Sequence, residues 1–470
     1  MLSQGRGARD GDRDDRFSGG LTSNPRLPRG SIYGMQGTTP APRAETVVDD
    51  SEPDIPRTLV VANKFAPSIG GIQTFARFLA AELPPDRLVI VAPPGKAGPA
   101  ADVDADKQLP FPVIRDARIS PRHPAVGRAL TSLARSEGAL AAWFPEGTPL
   151  GVMAPALRRG GVEQVVSSTH GHEVGWSYIP GGGRLVRTVA RRCDVMTYLT
   201  DVTLRRLRAV VPADTRMERL TGGVDPTRFH PDAGGDAIRR RLGLVDRLVV
   251  TCVARLVTRK GQDVLIKGWP TVQRHHPDAV LMLVGAGPAL GRLRRLAGQV
   301  GVESSVVFAG RIPDEELPAY LAASDVFAMP SRARLHGLEI EGLGLSALEA
   351  SATGLPVITG AAGGAPEVVV AGRTGLVVDG ADHNAVAESV VGLLDDAELR
   401  AAMGMAGREW MCERWTWAHL SRRLARLLAG QSLSNQPAPD SSPAGAPRHR
   451  PVAATAAPDH RSIETGEAPL

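Results

Sequence analysis

The sequence predicts an α/β protein of two doubly wound, parallel-sheet domains that face a central cleft. Three observations predict it. Short β-branched apolar runs alternate with amphipathic helical stretches, and the series restarts after the Gly/Pro/Asp-rich stretch Gly222–Asp236. The runs are continuously apolar, the mark of strands covered on both faces by helices. The chain's 470 residues are enough for more than one domain at about 150 residues each.

Taken in order, Thr58–Ala62 (TLVVA) is the first strand and Ile72–Leu83 (IQTFARFLAAEL) its helix. Arg87–Ala92, Ala139–Phe144 and Val162–Thr169 are further strands of the first domain. In the second, Arg247–Ala254 precedes a helix over 261–276 and Ala279–Gly285 a helix over 289–300. Ser305–Gly310, Val326–Pro330, Pro356–Gly360 and Leu376–Asp379 continue that sheet. The first 56 residues hold 8 Gly, 6 Pro and only Phe17 and Tyr33 as aromatics, and the last 40 hold 7 Pro and no aromatic. Neither segment can offset its ordering entropy by burial, so 1–56 and 431–470 are expected to be disordered tails. Domains over 57–230 and 231–410 follow. A helix over 411–430 is expected to cross back to the first domain, with Trp410, Trp415 and Trp417 as core packing. Ligands of such folds sit at the carboxyl ends of the strands, so the cleft is where function is expected.

Composition narrows the class. Hydrophobic residues at 43% and charged residues at 22% are ordinary for a globular protein. A net charge of +5 is too small to argue for nucleic-acid binding. No apolar run has the ~18 residues of a membrane span. The start, MLSQGRGARDGDRDDRF, has no apolar stretch that would make a secretion leader. Cys193, Cys252 and Cys412 are far apart without a Cys-x-x-Cys pair, so neither a disulfide framework nor a zinc ribbon is expected, and a reducing cytoplasm fits.

Several segments carry chemistry. Gly70-Gly71 lies between the first strand and its helix, where glycines let backbone approach a ligand and the helix start favours an anion. A plain tight turn is the competing reading. Gly285-Ala-Gly287 also opens a helix, but position 290 of the dinucleotide fingerprint is Leu, so nicotinamide dinucleotide binding is not expected. Arg255 and Lys260, at the end of the second domain's first strand, suit a diphosphate by their fork-shaped and point charges. Glu341 and Glu349 are eight positions apart in a nearly uncharged segment. Eight helical residues span about 12 Å, too far for two carboxylates on one scissile bond but suited to gripping two ends of a ligand. Glu349 could accept both hydroxyls of a ribose, and the N–H groups of Gly342, Leu343, Gly344 and Leu345 could meet phosphate or sugar oxygens. Asp102-Val-Asp104-Ala-Asp106 follows PPGKAGPAA and is expected to be a solvated loop rather than a metal site. The arginines of 184–192 (RLVRTVARR) could touch anionic lipid or form an ordinary surface helix.

GGI at 70–72, THGHE at 169–173, ARLVTRKG at 254–261, VGAGP at 284–288 and the Glu-x7-Glu of 341–349 occur in this order. Together they resemble the retaining nucleotide-sugar glycosyltransferases of family 4, of the GT-B fold with two Rossmann-like domains. The resemblance spans about residues 57–430. THGHEVGW, ARLVTRKGQD, DVFAMPSRAR, GLEIEGLG and LEASATGLPVITGAAGGAPE are closest to the actinobacterial phosphatidylinositol mannoside mannosyltransferases.

The resemblance implies roles residue by residue. Arg255 and Lys260 match the pair that stabilises the leaving nucleoside diphosphate in place of a metal. Glu349 matches the ribose ligand, Glu341 the acid on the transferred sugar, and Gly70 and Gly71 the loop closing over the diphosphate. His170 matches a histidine near sugar and acceptor, with His172 its alternative, and Ile312 the backbone contact to the base. It implies an acceptor-side first domain and a donor-binding second domain. The expected reaction is transfer of a hexose, mannose from GDP-mannose, to a phosphatidylinositol mannoside-type glycolipid, metal-independent and without a cofactor. Its setting would be cytoplasmic, with peripheral contact to anionic membrane. The alternatives are a UDP-sugar donor with a soluble or other lipid acceptor, a nucleotide-sugar epimerase of the same fold, and a non-catalytic binding protein. Leu335-His336 departs from the subgroup, which is more basic there, and the two tails lie outside the pattern.

Overall fold

A computed structural model describes residues 54–433 apart from 69, 172, 174, 176–180 and 338. The tails, but for their inner ends, lie outside these residues. The first sheet is built from β1 (Thr58–Val61), β2 (Leu88–Ala92), β3 (Val113–Arg115), β4 (Ala141–Phe144), β5 (Gln164–Ser168), β6 (Val195–Tyr198) and β7 (Met217–Arg219). The second is built from β8 (Val249–Val253), β9 (Val280–Val284), β10 (Val306–Gly310), β11 (Val326–Met329), β12 (Val357–Gly360) and β13 (Gly375–Val378). All their pairings are parallel, in the orders β3-β2-β1-β4-β5-β6-β7 and β10-β9-β8-β11-β12-β13. Each order reverses beside its first strand, so the ends of β1 and β8 open the crevices in which ligands bind.

The helices of the first domain are α1 (Gly71–Ala81), α2 (Pro99–Asp106), α3 (Val126–Ser136), α4 (Ala154–Arg159), α5 (Gly182–Arg192) and α6 (Asp201–Arg208). Those after it are α7 (Gly235–Leu242), α8 (Gln262–His275), α9 (Leu290–Gln299), α10 (Leu317–Ala322), α11 (Leu345–Ala352), α12 (His383–Asp395), α13 (Ala397–Arg414) and α14 (Trp417–Leu428). Apolar side chains of β1, β2 and β4 are buried on both faces, in separate cores on either side of the first sheet. The second sheet is flanked in the same way.

Strands β3 (VIR) and β7 (MER) are three residues long with charges among them, and β6 (VMTY) follows the polar run Arg191-Arg192-Cys193-Asp194, so none of the three stands out as an apolar run. Asp102, Asp104 and Asp106 lie on α2 and not in a loop, contrary to expectation. Asp102 is buried, and Arg115 of β3 pairs with Asp106 at 2.5 Å and with Asp102 at 3.9 Å, so the acids anchor a helix to the sheet edge. The inner ends of both expected tails are packed: Ile55 and Leu433 are buried in the first-domain core.

The chain leaves the first domain at Val224 and returns beside it, Val224 N–H donating to Trp415 O at 2.8 Å. Residues 411–414, read as part of the crossing helix, instead finish α13, with Met411 in the second-domain core. Thr416 accepts the His419 N–H and starts α14, which buries Trp417, Leu420, Leu424 and Leu428 in the first-domain core. Trp410 and Trp415 meet edge-to-face at 5.4 Å in the second core, and Trp417 stacks on Phe78 at 5.3 Å.

Candidate active site

A cleft of about 1230 Å³ opens where the carboxyl ends of the two sheets meet. Loops at strand ends bring Gly71, His170, Arg255, Lys260, Ile312, Glu341, Leu343, Gly344, Leu345 and Glu349 to its wall. Gly70 and Gly342 adjoin wall residues in sequence but do not themselves line the cleft. Gly70 has φ 170°, extended backbone that any residue adopts, and it precedes α1, whose first residues Gly71, Ile72 and Gln73 line the cleft. Their N–H groups have no carbonyl four residues back within the helix, so this is an anion-favouring helix start.

The two charges expected to grip separate parts of a donor grip each other. Lys260 Nζ lies 2.6 Å from Glu341 Oε2, both side chains are nearly buried, and Arg259 Nε is 3.9 Å from the same oxygen. The cause is tertiary: Lys260 follows β8, Glu341 follows β11, and these strands are neighbours. A diphosphate reaching Lys260 would exchange one anion for another. Arg255 is exposed at the cleft, and its side chain has no ion-pair or hydrogen-bond partner among the described residues.

The turn that presents these cations is held rigidly. Gly261 has φ 81°, and a Cβ there would lie 2.1 Å from Pro330 O, so only glycine fits. Asp263, buried at the start of α8, accepts from Arg332 at 2.7 Å. Gly344, at φ 98°, turns the chain into α11. Ala347 N–H closes back on Gly344 O, and Leu345 and Ser346 line the cleft at the helix start. Glu349 lies one turn further on. Burial pushes its carboxyl up to about 7, with nearby Asp314 adding to the rise and Arg228 opposing it. The carboxylate has no hydrogen-bond partner among the described residues, so its acceptor capacity is unspent.

His170 is differently engaged. Its Nε2 is 2.6 Å from Pro145 O, its backbone N–H donates to the buried Glu173 at 2.9 Å, and its ring meets Phe75 edge-on at 4.9 Å. An imidazole nitrogen beside a carbonyl oxygen carries the proton, so Nε2 is a donor occupied within the protein. His172 lies outside the described residues. Gly285 and Gly287 serve packing: a Cβ would come within 2.1 Å of Ala254 O and 2.4 Å of Leu256 O, respectively.

Arg259, Arg228 and Arg311 also lie on the cleft wall, beyond the residues expected there. Arg259 lay inside a motif already singled out, but nothing in RLVTRKG tells which of three cations turns inward. Among the described residues, no group of three His, Cys, Asp or Glu side chains gathers as a metal would require. No helix there is long and apolar enough to cross a membrane.

Comparison with known proteins covers about four-fifths of the chain. The family model "Glycosyl transferases group 1" matches residues 236–410. A GDP-mannose-dependent alpha-(1-6)-phosphatidylinositol monomannoside mannosyltransferase of Mycolicibacterium smegmatis is 42% identical over 380 residues, 80% of this chain and 100% of the relative. The GDP-mannose-dependent monoacylated counterpart of Corynebacterium glutamicum is also 42% identical, over 80% of this chain and 98% of its own. Among solved structures, Anabaena HepE in complex with UDP matches with TM-score 0.67 at 20% identity, over 80% of this chain and all of that one. Sucrose-phosphate synthase from Thermosynechococcus elongatus matches with TM-score 0.63 at 22% identity, over 80% and 99%. These two likenesses concern the fold, which is GT-B.

Proposed function

The chain belongs to the group 1 glycosyl transferases, and we propose that it transfers mannose from GDP-mannose to a phosphatidylinositol mannoside-type glycolipid with retention of the anomeric configuration. The observation that carries the reading is the 42% identity across the whole length of a mannosyltransferase with that donor and lipid in its name. The cleft is chemically suited to it. In this reading the second domain binds the donor and the first domain the acceptor.

Glu349 accepts from the ribose hydroxyls, and Ile312 borders the base. Arg255, Arg259 and Lys260, with the helix starts at Gly71 and Leu345, take the diphosphate. Charge that develops on the leaving diphosphate is met by these cations, a single such contact contributing about 3 kcal/mol of transition-state stabilisation. They can serve in place of a metal. Once Lys260 turns to phosphate, Glu341 is released toward the transferred sugar. His170, its Nε2 held by Pro145 O, shapes the acceptor side of the reacting centre. No covalent step on the protein is needed: the acceptor hydroxyl attacks on the face that the diphosphate leaves, through an oxocarbenium-like state.

The lipid acceptor brings the enzyme to a surface. Helix α5 carries Arg184, Arg187, Arg191 and Arg192 and no acidic residue. Their exposure supports peripheral contact with the anionic inner face of a cytoplasmic membrane. The test supplies purified protein with labelled GDP-mannose or UDP-glucose and an actinobacterial lipid extract, with and without chelator. Label entering the organic phase from GDP-mannose despite chelator is the expected result. Label that stays in water with GDP-mannose would overturn the lipid acceptor, and transfer from UDP-glucose alone would overturn the donor.

A further inference from the structure

Glu367 belongs to no donor contact, yet it joins the two domains beside the cleft. It sits on the 3-10 turn Ala365–Val368 of the second domain. Its carboxylate reaches the first domain, accepting the Asp201 N–H at 2.9 and 3.1 Å and pairing with Arg219 Nη2 at 2.7 Å. The side chains of Glu367 and Arg219 are only 11% and 5% exposed, so water screens the pair little. Asp201 is the first residue of α6, so the carboxylate also meets the positive end of a helix. A second cross-domain bond runs from Arg206 on α6 to Gly337 O at 2.7 Å.

What precedes Glu367 links it to the reacting centre. Gly364 N–H donates to Glu341 O at 2.9 Å. A Cβ at Gly364 would lie 2.2 Å from Gly342 O and 2.5 Å from Thr200 Cγ2. The segment is therefore wedged between the Glu341-Gly342 loop on one side and the start of α6 on the other. Gly342 in turn lies against His170, whose carbonyl oxygen a Cβ there would approach to 3.4 Å.

We infer that Glu367 is a positioning residue, a carboxylate clamp from the second domain onto Arg219 and the start of α6 that holds the Glu341–Leu345 loop in register with the His170 side of the cleft. It touches neither donor nor acceptor. Its effect is on the alignment of acceptor with donor, where displacements of about an ångström cost up to 100-fold in rate. The inference rests on the glycosyl-transfer reading above.

The test compares Glu367→Gln and Glu367→Ala with the unaltered full-length protein. Gln is isosteric and still accepts from Asp201 N–H but loses the charge opposite Arg219, whereas Ala loses both. The expected pattern is a kcat for transfer lowered about threefold to tenfold in E367Q and more than tenfold in E367A. The dissociation constant of GDP, measured by calorimetry, should stay within about twofold of the unaltered protein, because Arg255, Arg259, Lys260, Ile312 and Glu349 all stand on the second domain with Glu367 and only the helix start at Gly71 comes from the first. Amide hydrogen exchange adds a readout that needs no substrate: the 199–204 peptide should lose protection in E367A and retain part of it in E367Q. If E367A fails to fold, E367Q decides. Unchanged kcat and unchanged exchange in E367Q would overturn the clamp, as would parallel losses of kcat and GDP affinity, which mark general damage. An unaltered protein that transfers nothing from GDP-mannose refutes the donor assignment instead, and the exchange result still judges the clamp.

Discussion

The carboxyl of Glu349 makes donor binding pH-dependent in a direction that can be worked out beforehand. Burial raises it from 4.5 to about 7. Each pKa unit corresponds to about 1.4 kcal/mol, so the ionised form is disfavoured by at most about 3.5 kcal/mol, an upper bound because part of the residue faces the cleft. As a ribose ligand the carboxylate needs both oxygens free to accept, which ionisation provides and protonation removes. With a carboxyl titrating near 7, about a tenth is ionised at pH 6 and about nine-tenths at pH 8. GDP-mannose should therefore bind close to ten times more tightly at pH 8 than at pH 6. The intact nucleotide sugar is the right ligand, since its diphosphate has no proton to lose in this range. Calorimetric titration at half-unit steps, with Glu349→Gln alongside, is the assay. The variant should bind weakly and show no such slope. A slope that persists in E349Q, or a flat profile in the unaltered protein, would refute the assignment. Stability should run the other way: the folded state holds this proton more tightly than the unfolded chain, so stability falls as pH rises from 4.5 through 7, and E349Q should flatten that part of the thermal melting profile.

The cation turn and its supports give further expectations. Lys260→Ala should lower kcat/KM by about 100-fold, from the loss of about 3 kcal/mol at the leaving diphosphate, as read by transfer kinetics; a loss below threefold would remove Lys260 from the site. Gly261→Ala places a Cβ 2.1 Å from Pro330 O at φ 81°, and should destabilise by more than about 2 kcal/mol in urea unfolding and weaken GDP binding with it. Arg115→Met removes the partner of Asp106 and leaves the buried Asp102 with the Gly95 N–H alone, and should cost about 3 kcal/mol of stability in the same assay, while leaving donor affinity alone because α2 and β3 bear no donor ligand.

Much of the architecture was readable because continuous apolar runs leave a strand no exposed face, and only a parallel sheet between helices covers both. That reasoning found β1, β2, β4 and β5 and every strand of the second domain. It failed at β3 and β7, three residues each with a charge among them, and at β6, whose VMTY follows the polar run Arg191-Arg192-Cys193-Asp194 and does not stand out as an apolar run. It also failed at Asp102, Asp104 and Asp106, where a helix forms against an arginine distant in sequence. The candidate site was legible as a set of residues, since strand ends and helix starts are local features that carry ligands in this kind of fold. Its wiring was not. Glu341 and Lys260 read as ligands of two parts of a donor, but adjacent strands bring them to 2.6 Å. Glu349 read as a ribose ligand, but its titration range comes from surroundings no motif contains. The pairing of Glu367 with Arg219 spans 148 residues, beyond the reach of any local pattern. Periodicity and spacing specify which residues can serve a function, because they depend on neighbours along the chain. Which of them meet, and which charges are already spent on one another, is decided by contacts between distant strands and between domains, which exist only once the chain has folded.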